Sequence, residues 1–200
     1  MKDFNLVQGT IVNDVGQTVS AYCINNSSIV ATLSAESLYD FLMDSIKLLS
    51  EPVFFFAEIP LNESEEKSLR KSDSDPFHYQ IYYLDNCTTE VASAIVKRYG
   101  ELLINDGLVR FGFGSHKTGD EIYFKKYQVI DIYGQKAEDY ASCLEKHGAE
   151  KQTDLKTLWD CFSDDNPGRS VSVELNGESI YDMVESLTDA GLYKSNIVEE

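Results

Sequence analysis

The segment that most restricts the fold is an apolar run, Val53 to Ile59, bounded by Pro52 and Pro60. It has the length of a strand and falls short of the about 18–20 apolar residues that a membrane helix needs. Proline supplies no donor to a ladder and marks strand ends, so the run reads as a β-strand buried on both faces.

The flanking sequence supplies the rest of a sheet and the helices to cover it. Residues 4–32 hold β-rich runs at Leu6-Val7, Ile11-Val12, Val19 to Ile24 and Ser28 to Leu33. Asn13-Asp14-Val15-Gly16 and Asn25-Asn26 separate them with turn chemistry, which predicts a three-stranded meander. Ser34 then caps a helix over 35–49, where Leu38, Phe41, Leu42, Ile46 and Leu49 recur at helical spacing. Beyond Pro60, residues 62–75 are polar and read as a short exposed helix or a loop, and 77–84 as an aromatic-rich strand. A second amphipathic helix covers 90–105 and closes at Asp106-Gly107. Gly100 predicts a break or kink in it, since glycine costs about 1 kcal/mol relative to alanine in a helix interior. Three strands follow over 108–113, 121–124 and 127–133, then a helix over 135–147 and a short one around Trp159. A strand over 170–175 and a helix over 179–190 end the pattern.

Strands come in groups with helices between them, without the strict alternation of a doubly wound sheet. The expected fold is therefore α+β, a largely antiparallel sheet with helices packed mainly on one face. One domain over 1–200 is expected, with 75–86 and 148–153 the places where it would subdivide.

Charge bears on partners. Thirty-four Asp and Glu against 17 Lys and Arg give a formal −17 at pH 7. Nucleic acid is excluded as the expected partner, because binding it needs clustered cations to displace counterions. Anionic membrane faces are repelled in the same way, and basic proteins are attracted. The four cysteines, Cys23, Cys87, Cys143 and Cys161, form no C-x-x-C pair, so they read as reduced thiols and no zinc site is expected. Met1-Lys2-Asp3-Phe4 does not open a secretory signal, and a cytoplasmic location is expected.

The most site-like stretch is Phe111 to Glu121, which gathers Gly112, Gly114 and Gly119 with Ser115, His116, Asp120 and Glu121. It departs from the Walker phosphate loop, whose glycines lead into a helix. Its plain reading is a hairpin loop with glycines at positive φ, and its chemical alternative is an enzyme using His116 with Asp120 or Glu121. No G-x-S-x-G elbow flags a nucleophile. No catalytic residue, metal or cofactor is assigned, and Trp159, between Leu155, Leu158 and Phe162, reads as core.

The partner-binding candidates are of two kinds. Tyr79 and Tyr82 lie on the aromatic strand, with His116 on the glycine-rich loop, and tyrosine is enriched at interfaces. Acidic side chains cluster after the apolar run, at Glu63, Glu65, Glu66, Asp73 and Asp75, and again around Trp159, at Asp160, Asp164 and Asp165. Carboxylates so placed complement a cationic partner, such as the phosphate-binding cleft of a nuclease.

Three strings carry a resemblance: FGFGSHKTGDEIYFKKYQVIDIYG (111–134), LKTLWDCFSDDNPGRSVSV (155–173) and GESIYDMVESLTDAGLY (177–193). Together they resemble the small cytosolic immunity proteins of bacterial polymorphic toxin systems, in overall pattern and over the C-terminal half only. The resemblance implies a non-enzymatic α+β partner that neutralises a cognate toxin, often a nuclease, by occluding its basic surface. Carboxylates would speed association and buried aromatics would slow release. The alternatives are a cytosolic structural or regulatory module that self-associates through aromatic strand edges, and the enzyme built on His116.

Overall fold

The computed structural model describes residues 3–26, 28–72, 74–135 and 137–200. In chain order its elements are β1 (Thr10–Ile11), β2 (Ala21–Asn25), β3 (Ser28–Thr32), α1 (Ala35–Ile46), β4 (Val53–Pro60) and α2 (Glu63–Leu69). There follow β5 (His78–Cys87), α3 (Thr89–Asn105), β6 (Arg110–Ser115), β7 (Glu121–Lys125), β8 (Val129–Tyr133) and α4 (Ala137–Lys146). The chain ends with β9 (Glu150–Lys151), β10 (Arg169–Ser170), α5 (Ile180–Thr188) and β11 (Tyr193–Glu199). Among the described residues nine strands form one sheet in the order β11-β5-β4-β6-β7-β8-β3-β2-β9, while β1 pairs with β10. Every neighbour in the large sheet is antiparallel except β9 beside β2. The fold is α+β with a largely antiparallel sheet.

The helices gather on one face. Leu38, Phe41, Leu42 and Ile46 of α1 and Ile95, Val96, Tyr99, Leu102 and Leu103 of α3 enter one core with β4, β6, β7 and β8. Ile180, Met183 and Leu187 of α5 and Tyr140 and Leu144 of α4 join the same core. From β4 that core receives Val53, Phe55, Ala57 and Ile59. Side chains alternate along a strand, so Phe54, Phe56 and Glu58 point to the opposite face. The expectation of a strand buried by layers on both sides is thereby corrected: β4 is central in its sheet, but helices cover only one side of it.

Two other expectations change because of partners distant in sequence. Helix α3 runs unbroken through Gly100, because Tyr39 on α1 packs there and a Cβ would lie 3.1 Å from its Cε2. Residues 4–19 form no strands of a meander beyond β1. Their polar groups are taken up by loops and one side chain instead. Gly9 N–H donates to the Asn105 carbonyl at 2.7 Å, and Val171 N–H donates to the Gly9 carbonyl at 2.9 Å. Buried Gln128 accepts from Val7 N–H at 3.0 Å and donates through Nε2 to the carbonyls of Asn5 and Leu33 at 3.1 and 2.7 Å.

The C-terminal quarter is also less regular than its pattern suggests. The helix around Trp159 is a single 3-10 turn, Leu158–Cys161, and the strand over 170–175 shrinks to β10. Strand β11, which the sequence reading missed, closes the β5 edge. The four cysteines are unpaired, with Cys87 buried and the others partly so. Among the described residues no helix is long and apolar enough to cross a membrane.

Candidate functional site

The uncovered face of the sheet carries a row of aromatic rings. Ladder pairing sets Tyr193 beside Tyr83, Tyr83 beside Phe56, Phe56 beside Gly112, Gly112 beside Tyr123 and Tyr123 beside Asp131. Ring centroids are 6.3 Å apart for Tyr83–Tyr193, 6.0 Å for Phe56–Tyr83 and 5.3 Å for Phe56–Tyr123. Phe54, one row along, lies 6.1 Å from Tyr83. Tyr133 and Tyr193 are 45% and 47% exposed, so the row reaches solvent at both sides of its middle.

Two glycines make this row continuous. Gly112 and Gly114 lie inside β6, not in a loop, and only Gly119 in the hairpin connection has a positive φ (+70°). A Cβ at Gly112 would stand 2.5 Å from Phe56 Cε1, and one at Gly114 would stand 2.6 Å from Phe54 Cε1. The rings of β4 therefore lie across the bare backbone of β6, and aromatic side chains cover strand glycines in this way elsewhere. This corrects the expectation of positive φ at Gly112 and Gly114, and extends the strand expected to end at Phe113 through Gly114.

Carboxylates flank the rings, and all but one of those described below have partners. Glu58 pairs with Arg110 at 2.7 Å, and Asp131 with Lys125 at 2.9 Å. Asp85 takes His116 Nε2 at 2.8 Å and the Tyr193 hydroxyl at 2.5 Å. The Tyr193 bond, and secondarily His116, holds the Asp85 carboxyl below its usual range against the opposing effect of burial. Glu121 has no hydrogen-bond or ion-pair partner for its carboxylate among the described residues. Burial raises its carboxyl above the usual range, and the neighbouring charge of Glu58 raises it further.

The pairing of His116 with Asp120 or Glu121 that the enzyme alternative requires does not form. Asp120 is fully buried and closes the hairpin, accepting from Thr118 Oγ1 at 2.7 Å and from Gln135 N–H at 3.0 Å. His116 reaches the other way, to Asp85, with its ring 4.7 Å from that of Phe54. Among the described residues no group of three His, Cys, Asp or Glu is arranged to hold a metal.

Other candidates collect at the opposite end of the sheet, around a cleft of about 810 Å³. Glu63, Glu66 and Tyr79 line it, with Lys67, Arg70, Lys71, Phe77, Lys126, Trp159 and Tyr181. The buried Glu66 carboxylate accepts from His78 N–H at 2.5 Å and faces His78 Nδ1 at 3.2 Å. Tyr79 is only 2% exposed, lying under Arg110, whose guanidinium is 4.2 Å from its ring. Tyr82 points to the helix-covered side and packs on the core. Neither tyrosine is the open contact that alternation suggested.

The remaining acidic candidates do local work. Glu65 completes a capping box with Asn62 at the start of α2. Asp75 accepts from Lys71 and Ser72 N–H groups at 2.7 and 3.1 Å. Asp160 caps the 3-10 turn through Thr157 N–H at 2.9 Å, and Asp164 and Asp165 are exposed in the bridge that follows. Asp73 lies outside the described residues. Trp159 is 53% exposed, because the short turn sends Leu158 inward in its place. Its ring rests edge-on against Tyr127 at 4.6 Å.

Sequence reasoning missed Phe54, Phe56, Tyr83, Tyr123 and Tyr193 as a surface, and Glu121 except as a partner for His116. The alternation inside 53–60 and the Phe-Gly-Phe-Gly string were the available signals. No protein-family model, curated protein or solved structure matches this chain.

Proposed function

We propose that this chain is a non-enzymatic binding protein that docks a basic protein partner on the uncovered face of its sheet, in the manner of a toxin-neutralising immunity protein. One observation carries the reading. Glu121 is a partly buried carboxylate with no cation partner among the described residues, set beside a row of aromatic rings that runs from buried Phe56 to half-exposed Tyr193. Partial burial disfavours its charged form, and a partner's lysine or arginine would offset that. Rigid tyrosines around a charge that a partner would finish covering are the composition from which interface hot spots are built. The overall −17 supports the same choice of partner, since it accelerates encounter with a basic surface. An interface of standard size buries about 1,600 Å² in total, about 800 Å² of it on this side.

The experiment is calorimetric titration with the basic toxin domain encoded beside the gene, repeated with Tyr123→Ala and Glu121→Lys. Each variant removes a hot-spot contact worth about 2 kcal/mol or more, so each is expected to weaken binding at least about thirtyfold. Full affinity in both variants, or no complex with any such domain, overturns the proposal.

A further inference from the structure

The cleft at the Pro60 end of β4 has a chemistry opposite to the rest of the molecule. Four of the 17 basic residues line it, Lys67, Arg70, Lys71 and Lys126. Its acids are already engaged. Glu63 pairs with Lys67 at 2.5 Å, Glu66 holds His78, and Glu200 pairs with Lys126. Lys71 has no side-chain partner among the described residues. The Lys67–Glu63 pair is mostly exposed on both sides, and such pairs are weak enough for the lysine to turn to another anion. Distant carboxylates contribute little here, since charges beyond about 8 Å are screened at physiological salt.

Flat apolar surface meets this positive rim. Phe77, Trp159 and Tyr181 are 53%, 53% and 49% exposed, and all three line the cleft. Arg70 stacks over the Phe77 ring at 4.1 Å, which joins a cation to a stacking platform. The volume of about 810 Å³ lies within the range of small-molecule sites.

We propose that this cleft binds a small planar anion of the nucleoside monophosphate class. Its ring stacks on the exposed aromatics, and its phosphate rests on the Lys67–Lys71 side, where lysine ammonium groups offer donors and charge. This site lies at the Pro60 end of β4, away from Glu121, which registers with Gly114 and Phe54 at the other end, so either reading stands if the other fails.

The chain contains a single tryptophan, Trp159, which makes the cleft its own reporter. The test is tryptophan fluorescence titrated with adenosine 5′-monophosphate, adenosine and inorganic phosphate, on the native chain and on Lys71→Glu. The expected result is saturable quenching by the monophosphate, at least tenfold weaker binding of adenosine, and competition by phosphate without quenching. Lys71→Glu, at an exposed position, should weaken the monophosphate at least tenfold and leave adenosine unchanged, with an unaltered melting temperature. No saturable response to the monophosphate overturns the proposal. So does a preference over adenosine below tenfold, or an affinity untouched by Lys71→Glu.

Discussion

Gly112 and Gly114 sit two residues apart in β6, each beneath a phenylalanine of β4, yet alanine at the two positions should act differently. At Gly112 the new Cβ would meet Phe56 Cε1 and Cζ at 2.5 and 2.6 Å and press on the Ile122 carbonyl of β7. Phe56 is 5% exposed and held between Tyr83 and Tyr123, and the carbonyl belongs to a paired strand, so neither yields. Overpacking costs about 1–3 kcal/mol, here near the upper end. Alanine recovers about 0.5–1 kcal/mol of backbone entropy, leaving a net loss of about 2 kcal/mol. For a chain of this size that is a fall in Tm of about 4–8 °C.

At Gly114 the nearest atoms belong to the Phe54 ring, with the Asp120 carbonyl at 3.0 Å. Phe54 is only partly buried and can swing outward. The overpacking there is about 1 kcal/mol and the entropy gain about 0.5–1 kcal/mol, so the two nearly cancel. Gly114→Ala should stay within about 2 °C of the parent. Scanning calorimetry on both variants decides the matter, and equal shifts would refute the account of rings resting on a bare strand.

Three further outcomes are expected. Gln128→Ala strands the buried Val7 N–H and Leu33 carbonyl, each worth about 1–3 kcal/mol, while the Asn5 carbonyl keeps the Ala35 N–H, so urea unfolding should show a loss of about 3 kcal/mol with an unchanged slope. A loss under about 1 kcal/mol would show that those groups find other partners. Hydrogen bonds from Lys146 and Lys47, and a further one from His147, hold the Asp44 carboxyl well below its usual range. Its folded value is depressed, so its contribution is present above the unfolded value of about 3.9 and is lost as pH falls through the folded one. Asp44→Asn should therefore lower Tm at pH 7 and progressively less below pH about 4, and a deficit independent of pH would contradict the pairing. Glu121 runs the other way. Its folded value is raised, so the fold favours the protonated form and the ionised carboxylate weakens it above the unfolded value of about 4.3. Glu121→Gln should raise Tm at pH 7, show no gain below pH about 4, and bind the basic partner less tightly; a lower Tm at pH 7 would remove the premise.

Much of the architecture was legible because helices declare themselves locally. The spacing of Leu38, Phe41, Leu42 and Ile46, and the Thr88 cap on Val91 N–H, act within one or two turns, whereas Ser34 holds the N-cap position without a side-chain cap bond. The parts that were misread depend on distant partners. Residues 4–19 looked like strands from their β-rich pairs, but the neighbours that satisfy their backbone are Asn105, Gln128 and Val171. Gly100 looked like a break, and only Tyr39 on another helix explains why it is not one. Strand β11 follows a helix and carries Lys194, Ser195 and Asn196 with no clear alternation, and its pairing is itself irregular between Lys194 and Ile197.

The uncovered face was harder to read than the fold, and the reason is physical. A strand whose two sides are both aromatic gives a period of two that composition hides, so Phe54 and Phe56 look like Phe55. What separates them is register across strands far apart in sequence, which puts Gly112 between Phe56 and Tyr123. Charge was misleading in the same way. With 34 acidic residues, abundance drew attention to clusters such as Glu63, Glu65 and Glu66, yet those carboxylates cap a helix, pair with a lysine or hold a histidine. A carboxylate spent on a local hydrogen bond has little left to offer a partner. The informative one is Glu121, partly buried and without a cation partner among the described residues, and that condition is visible only once every neighbour is in place.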